Sequence, residues 1–546
     1  MKQLKLLVAI IVIVLLVGSI AATSYVVLKQ EEQQKPFYIG VTYCGSSVQE
    51  AKELIDKVKN YTNLFILQSG SLMTNSAAMN EIGDYAIASN LNFAVYRGTS
   101  SYGSDIDLDQ WISTAKERWG KHFMGIHYSD ELGGRMLDQG TTFRYTQYIK
   151  DGVSGVIKSQ DGSIQWNLNG TIFRYLSNGT ITNRMSHHVS YYPNGTVTSS
   201  VGNNVYTTEN ITEYTPPILS YEQILEQNGI QSYDDAIKLF GEELNGSVRW
   251  SFNGTDFTYY PDGYIHSFVF HTISYYPNGT VTSSVGNNVY TTENITEYTL
   301  PILSYEQILE QNPLQNYDDA AKLFVNDGKY LLFENINKTQ LNEKSILVFT
   351  SDYGLYWWDY QSGYDVVFAQ LGWNHTVTQD IGLVRGAANL QGKSWGTVIT
   401  WKYTQPPFLT DGEEMFKQMK NSYESGAEYV LIFNYSEDPA NPNILQEEHF
   451  QALERFWNDV VQNPKIKHGN IKADTALVLP QNYGWGMRHP DDNIWGIWQP
   501  DETSQQIWNQ LQNKLDKHGL KLDIVYEDPN YPVTEKYANI YYWNQK

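Results

Sequence analysis

Short apolar runs alternate with amphipathic stretches in two parts of the chain, 31–135 and 331–470. The apolar runs, eight in number and of strand length, lie at 37–43, 63–70, 91–98, 122–131, 345–352, 364–373, 394–403 and 427–438. Stretches with helical periodicity separate several of them, as at 46–60 and 411–426. Buried strands separated by helices pair in parallel through right-handed crossovers, and eight such strands close a barrel. The pattern predicts an α/β fold, a TIM-like (β/α)8 barrel. An open doubly wound sheet is the alternative, but no glycine-rich phosphate loop follows the first run.

The segment between these two parts, 136–330, contains a tandem repeat with a period of 84 residues. Residues 190–228 and 274–312 are identical except that Pro216 of the first copy is Leu300 in the second. Both copies alternate Thr, Val and Tyr around Asn-Gly pairs, which is the sequence signature of β-hairpins. We expect a β-rich insertion after the fourth barrel strand. It is either a decorative subdomain or a second ligand-binding module.

In the last part of the chain, 471–546, apolar runs again alternate with a helical stretch. An apolar run is followed by a helical stretch at 504–518 and a second apolar run at 520–528. This order predicts a small α/β appendage after the barrel. Its tryptophan-rich loop, within 480–500, is expected to pack over the barrel mouth.

Residues 1–30 have the composition of a membrane anchor. An uncharged run of 23 residues, Leu6 to Leu28, is long enough to span a bilayer as a helix. Lys2 and Lys5 precede it and favour an N-terminus on the inner side. A cleaved signal peptide is the alternative, because Ser19-Ile20-Ala21 resembles a small-residue cleavage site. In both cases the bulk of the chain is expected outside the cell, and this segment is the expected contact with the membrane.

Asn-X-Ser/Thr sequons agree with export. The chain has twelve of them, and nine lie between Asn169 and Asn337. Asn-Gly-Thr also suits hairpin turns, which is the other explanation for several of these sites. The single cysteine, Cys44, allows no intrachain disulfide. A glycosylated, disulfide-free surface protein behind a short lysine-flanked anchor is typical of archaea, and we expect this origin.

The charge of the chain restricts its partners. A formal net charge of -22 and a pI near 4.9 argue against nucleic acid or anionic lipid as the main partner. The chain contains 15 Trp and 41 Tyr, residues whose flat rings suit stacking against sugars. Its histidines lack metal-ligand spacing, and neither a nucleophile elbow nor a phosphate loop is present. We therefore expect carbohydrate as the partner and neither a metal nor a cofactor.

Polar and aromatic residues are concentrated at the carboxyl ends of the predicted barrel strands, where sites in this fold lie. A barrel with a purely structural role does not need aromatic residues at so many strand ends. We therefore expect a ligand site at this mouth, with Trp373, Trp401 and Tyr435 as platforms for sugar rings. The candidate binding residues are Tyr96, Arg97, His127, Trp373, Trp401, Lys402, Asn434 and Tyr435.

The fourth predicted strand ends in an acidic pair, within the stretch "FMGIHYSDELGGR" that starts at Phe123. Side chains alternate along a regular strand, so His127 and Glu131 are expected to face the lumen together. Asp130 is then expected to point away and to organise the loop. Gly133 follows and permits a sharp turn directly after Glu131.

This stretch resembles a motif of glycoside hydrolases. In chitinase-type barrels the fourth strand reads D-G-x-D-x-D-x-E, and "MGIHYSDE" (124–131) has the same length with Glu131 on its glutamate. Met124, His127 and Ser129 replace the aspartates. The resemblance implies that Glu131 is the proton donor. Hydrolysis by two carboxylates requires a second acid across the site. Asp352 and Glu437, at the ends of strands five and eight, are the candidates, since strand seven ends in Trp401-Lys402 without an acid.

Two functions remain open on the sequence. The first is a surface-anchored, glycoside hydrolase-like enzyme acting on extracellular glycans. The second is a carbohydrate-binding or structural surface protein on a barrel that has lost hydrolysis, which the replaced aspartates favour. In the first case Glu131 and a second carboxylate face each other across an open aromatic cleft.

Overall fold

The computed structural model describes residues 36–545, except for 98–107, 139–142, 145–152, 169–170, 195, 202–203, 208–222, 224, 227–229, 241–246, 253–254, 279, 286–287, 292–312, 374, 437–442 and 535. No helix in these described ranges is both long and apolar enough to cross a bilayer. The expected anchor, 1–30, lies outside them.

The strands fall into three groups along the chain. The first barrel half has β1 (Tyr38–Tyr43), β2 (Leu64–Leu67), β3 (Asn92–Arg97) and β4 (Phe123–Tyr128). The insertion follows with β5 (Phe143–Arg144), β6 (Val153–Lys158), β7 (Ile164–Leu168), β8 (Thr171–Tyr175), β9 (Ile181–Tyr191), β10 (Val197–Val201), β11 (Asn204–Thr207), β12 (Val248–Phe252), β13 (Thr255–Tyr259), β14 (Ile265–Tyr275), β15 (Val281–Val285) and β16 (Asn288–Thr291). The second barrel half and the appendage have β17 (Leu347–Asp352), β18 (Val366–Leu371), β19 (Ser394–Ile399), β20 (Tyr429–Ile432), β21 (Thr475–Leu479), β22 (Leu522–Tyr526) and β23 (Asn539–Tyr542).

Helices connect the barrel strands and flank the added sheets. The α-helices are α1 (Val48–Val58), α2 (Ser76–Ala88), α3 (Leu108–Trp119), α4 (Leu132–Leu137), α5 (Tyr233–Phe240), α6 (Tyr317–Tyr330), α7 (Lys338–Glu343), α8 (Tyr356–Ser362), α9 (Val377–Gln391), α10 (Gly412–Glu424), α11 (Glu447–Phe456) and α12 (Glu502–His518). Short 3-10 turns (Leu72–Thr74, Gly120–His122, Gly519–Lys521) and π turns (Leu331–Asn335, Trp457–Val461) extend some of them. Ser47, Asn75, Asp411 and Asp501 cap α1, α2, α10 and α12 by accepting a backbone N–H.

The prediction of a TIM-like barrel is confirmed. β1, β2, β3, β4, β17, β18, β19 and β20 pair in parallel in this order, and β20 closes on β1 through Tyr38 and Tyr429. Side chains on the inner face form one hydrophobic cluster, which includes Leu64, Phe349 and Phe368. The opposite strand faces pack under the helices in a second, larger cluster. Alternating apolar residues therefore fill both layers of the barrel.

A bulge in β4 changes which of its residues face the lumen. The register between β3 and β4 shifts at Phe93, and Gly125 has a φ of 154°. A Cβ atom at Gly125 would lie 2.0 Å from the carbonyl oxygen of Leu347, so the close approach of β17 requires glycine there. Met124 belongs to the inner cluster, and His127 stacks on Phe368 of the same cluster. The bulge thus delivers His127 to the lumen.

The insertion forms a twelve-stranded sheet in which the two copies of the repeat pair with each other. The central strands β9 and β14 are antiparallel over eleven residue pairs, from Ile181 opposite Tyr275 to Tyr191 opposite Ile265. Ser186 lies opposite Phe270, and these two positions are equivalent in the repeat. The copies are therefore related by an approximate two-fold axis through this pair.

Each half of this sheet covers its own hydrophobic cluster. Trp250 of the second copy packs in a cluster with Ala236 of α5. The equivalent Trp166 of the first copy belongs to the large cluster that also contains Ala320 of α6. The helices α5 and α6 are themselves equivalent in the repeat, so each copy of the sheet has one helix. The half of the sheet around Trp166, to which Ile273 and Tyr275 of the second copy also contribute, is continuous with the core of the barrel.

The appendage is a three-stranded parallel sheet, β22-β21-β23, held against α9. A Cβ atom at Gly382 of α9 would lie 2.8 Å from the carbonyl oxygen of Leu522, so glycine allows the helix to contact β22 directly. Arg385 of α9 donates to Asp523 at 2.7 Å in a fully buried ion pair. The appendage and the barrel therefore share one core.

Candidate active site

The acidic pair of the fourth strand lies at the carboxyl-end mouth of the barrel. β4 ends at Tyr128, and both Ser129 (φ 55°) and Glu131 (φ 60°) adopt the left-handed conformation. The alternation of a regular strand stops there, and Asp130 and Glu131 both line the central cavity. The expectation that Asp130 points away from the lumen is wrong because it assumed regular strand geometry up to residue 131.

The cavity between these carboxyls and the barrel core is small, with polar groups at the carboxyls and apolar side chains towards the core. Its volume is about 40 Å³, enough for a few water molecules or one polar substituent. A whole sugar ring must therefore sit above it, at the mouth. The lining residues are Thr42, Ile66, Gln68, His127, Asp130, Glu131, Ser351, Phe368, Gln370, Val398, Thr400, Leu431 and Phe433.

Hydrogen bonds connect the two carboxyls through neighbouring strands. Gln370 of β18 donates from Nε2 to Glu131 Oε1 at 2.7 Å, and its Nε2 lies 3.5 Å from Ser351 Oγ. Ser351 of β17 donates from Oγ to Asp130 Oδ1. The Asp130 side chain is 25% exposed. One chain of hydrogen bonds therefore fixes one oxygen of each carboxyl.

The electrostatics of the pair favour protonated carboxyls. Burial, and then the negative charge of Glu131, raise the pKa of Asp130 well above its ordinary range. Burial also raises the pKa of Glu131, although the hydrogen bond from Gln370 and the charge of Arg135 act against this. The two carboxyls are coupled, so the pair ionises in two steps that belong to both groups, and it keeps one proton to higher pH than an isolated carboxyl would.

His127 forms one wall of the cavity as a neutral ring. It is buried and stacks between Tyr96, at 5.2 Å between ring centroids, and Phe368, at 6.2 Å. Burial lowers the pKa of His127 to about 3. Its Nδ1 and the Oε1 of Gln370 have no hydrogen-bond partner among the described residues. These two buried atoms are available to a ligand.

Asp352 lies behind this site and not in the cavity. It is fully buried and accepts hydrogen bonds from the backbone amides of Gly133 (2.5 Å), Gly134 (2.7 Å), Tyr353 (2.7 Å) and Gly354 (3.1 Å). Burial raises the pKa of Asp352 to about 7 despite these donors. Asp352 therefore ties the loop after Glu131 to the end of β17.

An aromatic rim adjoins the cavity. The rings of Trp401 and Tyr435 stack at 5.9 Å with 1° between their planes, and Trp401 Nε1 donates to the carbonyl of Tyr435 at 2.9 Å. Trp373 meets Trp401 edge-on at 5.9 Å. Phe433 lines the cavity and lies 5.9 Å from the Tyr435 ring. Trp373 and Tyr435 are each 37% exposed, so the rim offers ring faces to solvent.

Beyond the rim, the loop after β19 forms an open groove of about 590 Å³. Trp373, Lys402 and Tyr403 line it together with Pro406 and Pro407. The Lys402 ammonium lies 5.6 Å from the centre of the Tyr403 ring. The groove thus continues the aromatic surface outward from the small polar cavity.

Besides Asp352, three expected site residues lie elsewhere or outside the described ranges. Arg97 pairs with Asp109 of α3 and lies over the outward-facing Tyr128 ring. Asn434 is fully buried and accepts hydrogen bonds from the amides of Ile444 and Leu445, so its side chain orders a loop and its sequon is inaccessible in the fold. Glu437 lies in 437–442, outside the described residues.

Sequence reasoning missed three residues at the centre of the site. The candidate residues included none of Ser351, Gln370 and Asp130. The alternation of β17 contained a usable signal, because Phe349 and Ser351 share a face and Asp352 must take the other. No comparable signal marked Asp130, since it depends on two left-handed residues.

No group of three or more His, Cys, Asp or Glu side chains in the described part of the chain is arranged to hold a metal ion. Neither a model of a known protein family nor a curated protein matches the chain. The fold and the geometry of the mouth are therefore the basis for any statement about function.

Proposed function

We propose that this barrel is a glycoside hydrolase acting on extracellular glycans, with Asp130 and Glu131 as its acid–base pair. One observation carries the proposal: two adjacent carboxyls with raised pKa values share the mouth of a parallel barrel. A carboxylic acid that stays protonated near neutral pH is what general-acid cleavage of a glycosidic bond requires.

The two carboxyls take different roles. Asp130, whose pKa burial and the charge of Glu131 raise well above its ordinary range, is the proposed acid and donates its proton to the glycosidic oxygen as the bond to the anomeric carbon breaks. Glu131, held by Gln370, is the carboxylate that stabilises the positive charge developing on the sugar. The water supplies the hydroxyl of the new reducing end, and its proton returns to the pair. The resemblance to chitinase-type barrels implied that Glu131 is the proton donor. The present proposal gives that role to Asp130 and keeps Glu131 as the second carboxyl.

The rim positions the substrate in this proposal. Sugar rings stack on Trp401, Trp373 and Tyr435 above the carboxyls, and a hydroxyl or hydroxymethyl group enters the cavity. There it meets His127 Nδ1 and Gln370 Oε1, both unpaired among the described residues. Buried polar atoms without partners favour a ligand that supplies them.

A non-catalytic carbohydrate-binding protein is the second candidate. The size of the cavity favours it, because about 40 Å³ admits only a substituent and no complete ring. Asp352 is engaged by four backbone amides and is not proposed as the second acid. We also propose a cell-surface location with residues 1–30 as the membrane anchor, on the basis of their uncharged 23-residue run.

Variants of the full chain test the proposal. Asp130→Asn and Glu131→Gln are assayed by reducing-sugar release from a panel of polysaccharides, with Glu117→Gln on the exposed face of α3 as the control. Each site variant should lower turnover by roughly 10²–10⁴-fold without a change in melting temperature, whereas the control keeps full activity. Undiminished turnover in both site variants would exclude Asp130 and Glu131 as the acid–base pair.

The pH profiles assign the roles. Asp130→Asn should remove the alkaline limb of the rate profile, and Glu131→Gln should remove the acid limb. The opposite result makes Glu131 the proton donor. If the wild type binds glycans without cleaving any of them and Trp401→Ala abolishes binding, the second candidate is correct.

A further inference from the structure

The inserted sheet has an open face in addition to the face that packs on its helices. Along β9 and β14 every second residue is buried, such as Met185, Val189 and Val269. The intervening side chains point to the other side of the sheet. Among the described residues, no helix or strand layer packs over these side chains.

Aromatic, imidazole and guanidinium groups form a continuous row on this open face. Ring centroids are 5.2 Å apart for Tyr260–Tyr264, 5.1 Å for Tyr264–Tyr192, 5.3 Å for His266–His188, 4.8 Å for His188–Phe268 and 4.6 Å for Phe268–Phe270. The Tyr264 hydroxyl lies 2.8 Å from Ser190 Oγ, between the tyrosines and the histidines. The Arg184 guanidinium ends the row, 3.4 Å from the centre of the Phe270 ring.

The dimensions of the row suit a chain molecule. From Tyr264 to Phe270 it follows six residues of a strand, or roughly 20 Å. Tyr192 is 38% exposed and Phe270 is 41% exposed, so both ends of the row are accessible to solvent. The ring planes are tilted against one another, by 35° for Tyr192 and Tyr264 and by 82° for Phe268 and Phe270, so the row presents both edges and faces of rings. Its length matches several consecutive units of an extended polymer.

The repeat itself argues against a purely structural reason for these rings. The positions in the first copy that are equivalent to Tyr264, His266, Phe268 and Phe270 hold Thr180, Thr182, Arg184 and Ser186. The first copy forms the same strand with the same pairing. A central strand of this sheet therefore forms without aromatic residues on its open face.

The charges around the row favour an uncharged partner. Arg184 is the one formally charged side chain within it. On the same face of the neighbouring strands, Asp256 lies opposite Phe268 and Arg249 lies opposite Thr258. Arg174, which pairs with Asp161, lies opposite Thr182. Charges of both signs therefore flank the row. The net charge of -22 on the whole chain repels polyanions at long range. A cationic polymer finds no surplus of carboxylates along the row.

We propose that this row binds a linear, uncharged polysaccharide, whose sugar rings stack on Tyr192, Tyr264 and Phe270 and whose hydroxyls bond to Ser190 and the two imidazoles. The site is separate from the barrel mouth and independent of the function proposed there. It holds the protein on a polymer surface while the barrel acts or binds elsewhere.

Affinity electrophoresis of the full-length protein tests this proposal. The gels contain xylan, glucomannan, hydroxyethylcellulose or, as an acidic polymer, polygalacturonate. Phe270→Ala and Tyr192→Ala should each weaken retardation by neutral polymers roughly tenfold in Kd. Leu239→Ala, an exposed apolar residue on α5, is the matched control and should leave retardation unchanged.

Trp373→Ala at the barrel rim separates the two sites. Retardation that survives Trp373→Ala and is lost in Phe270→Ala supports the row even if the barrel has no hydrolytic activity. Three results overturn the proposal: no retardation by any neutral polymer, complete loss in Trp373→Ala alone, or stronger retardation by polygalacturonate than by the neutral polymers. Melting curves of each variant exclude unfolding as the cause.

Discussion

Asp352 shows at the residue scale how burial can outweigh hydrogen bonding. Four backbone amides donate to its carboxyl, which by itself lowers a pKa. The pKa is nevertheless raised to about 7, because the group is fully buried and the carboxyl of Glu131 lies near it. The segment after Glu131 is therefore hydrogen-bonded to a carboxyl, that of Asp352, which changes charge near neutral pH.

Asp352→Asn should change how stability depends on pH. The folded pKa of about 7 exceeds the unfolded value of about 3.9, so Asp352 stabilises the fold below pH 4 and this contribution is lost as the pH rises to 7. The loss is at most about 1.4 kcal/mol per pH unit. The free energy of unfolding of the wild type minus that of the variant should thus be largest near pH 4 and smallest above pH 7. Urea titrations at pH 4.5, 6 and 7.5 measure it, and a difference independent of pH contradicts the assignment.

The sequence located part of this site and missed the rest for a geometric reason. His127 and Glu131 line the cavity, but for reasons that regular alternation did not contain: a bulge at Gly125 turns His127 inward, and Glu131 lies beyond the end of the strand. Asp130 lines the cavity as well, since alternation holds only while the backbone stays extended. The left-handed conformations of Ser129 and Glu131 depend on contacts with β17, such as the bond from Glu131 N to the carbonyl of Ser351. Contacts between distant segments leave no mark in the local pattern.

At the scale of elements, the two copies of the repeat pair with each other within one chain as two subunits of a symmetric dimer would. The eleven pairs between β9 and β14 join the two copies along complete strand edges. Hairpin strands within each copy were predictable from Asn-Gly turns and alternation. The pairing of one copy with the other was not, because any strand edge can in principle accept any other.

Deletion of one repeat unit should convert the protein into a dimer. Removing 161–244 joins residue 160 to Asn245, the equivalent of Asp161, so β12 replaces β7 beside β6. The edge of β14 that pairs with β9 is then open, and a second molecule can supply the same edge through the same two-fold relation. Light scattering after gel filtration should give twice the subunit number of the full-length protein. An unchanged subunit number in a folded variant contradicts the two-fold relation.

At the scale of the whole molecule, the appendage belongs to the core. Beside the buried pair of Arg385 and Asp523, Arg488 of the tryptophan-rich loop donates to Asp138 at 2.6 Å and to Asp492 at 2.9 Å. Asp138 directly follows α4, the short helix after Glu131. The loop expected at the barrel mouth therefore contacts the segment that leaves the acidic pair.

Arg385→Met should destabilise the protein by about 3–5 kcal/mol, because it leaves Asp523 buried without its ion-pair partner. The double variant Arg385→Met/Asp523→Leu should recover most of this loss. The matched control is Arg455→Met, whose partner Glu413 is 79% exposed, and it should cost only about 0–1 kcal/mol. Chemical denaturation gives all three values. Equal losses in Arg385→Met and Arg455→Met contradict a shared core.

The barrel is interrupted between β4 and β17, and this has a consequence for the order of events during synthesis. Thr350 donates to the carbonyl of Ser129 across 221 residues of sequence. Hairpins form from local contacts, whereas contacts between distant segments form late. The first four barrel strands are therefore synthesised before β17, the strand that pairs with β4. The edge of β4 stays unpaired until the insertion and β17 have been synthesised. Asp130 and Glu131 become connected to Ser351 and Gln370 only after β17 and β18 have joined β4, so the acidic pair takes its final arrangement after the insertion has been synthesised.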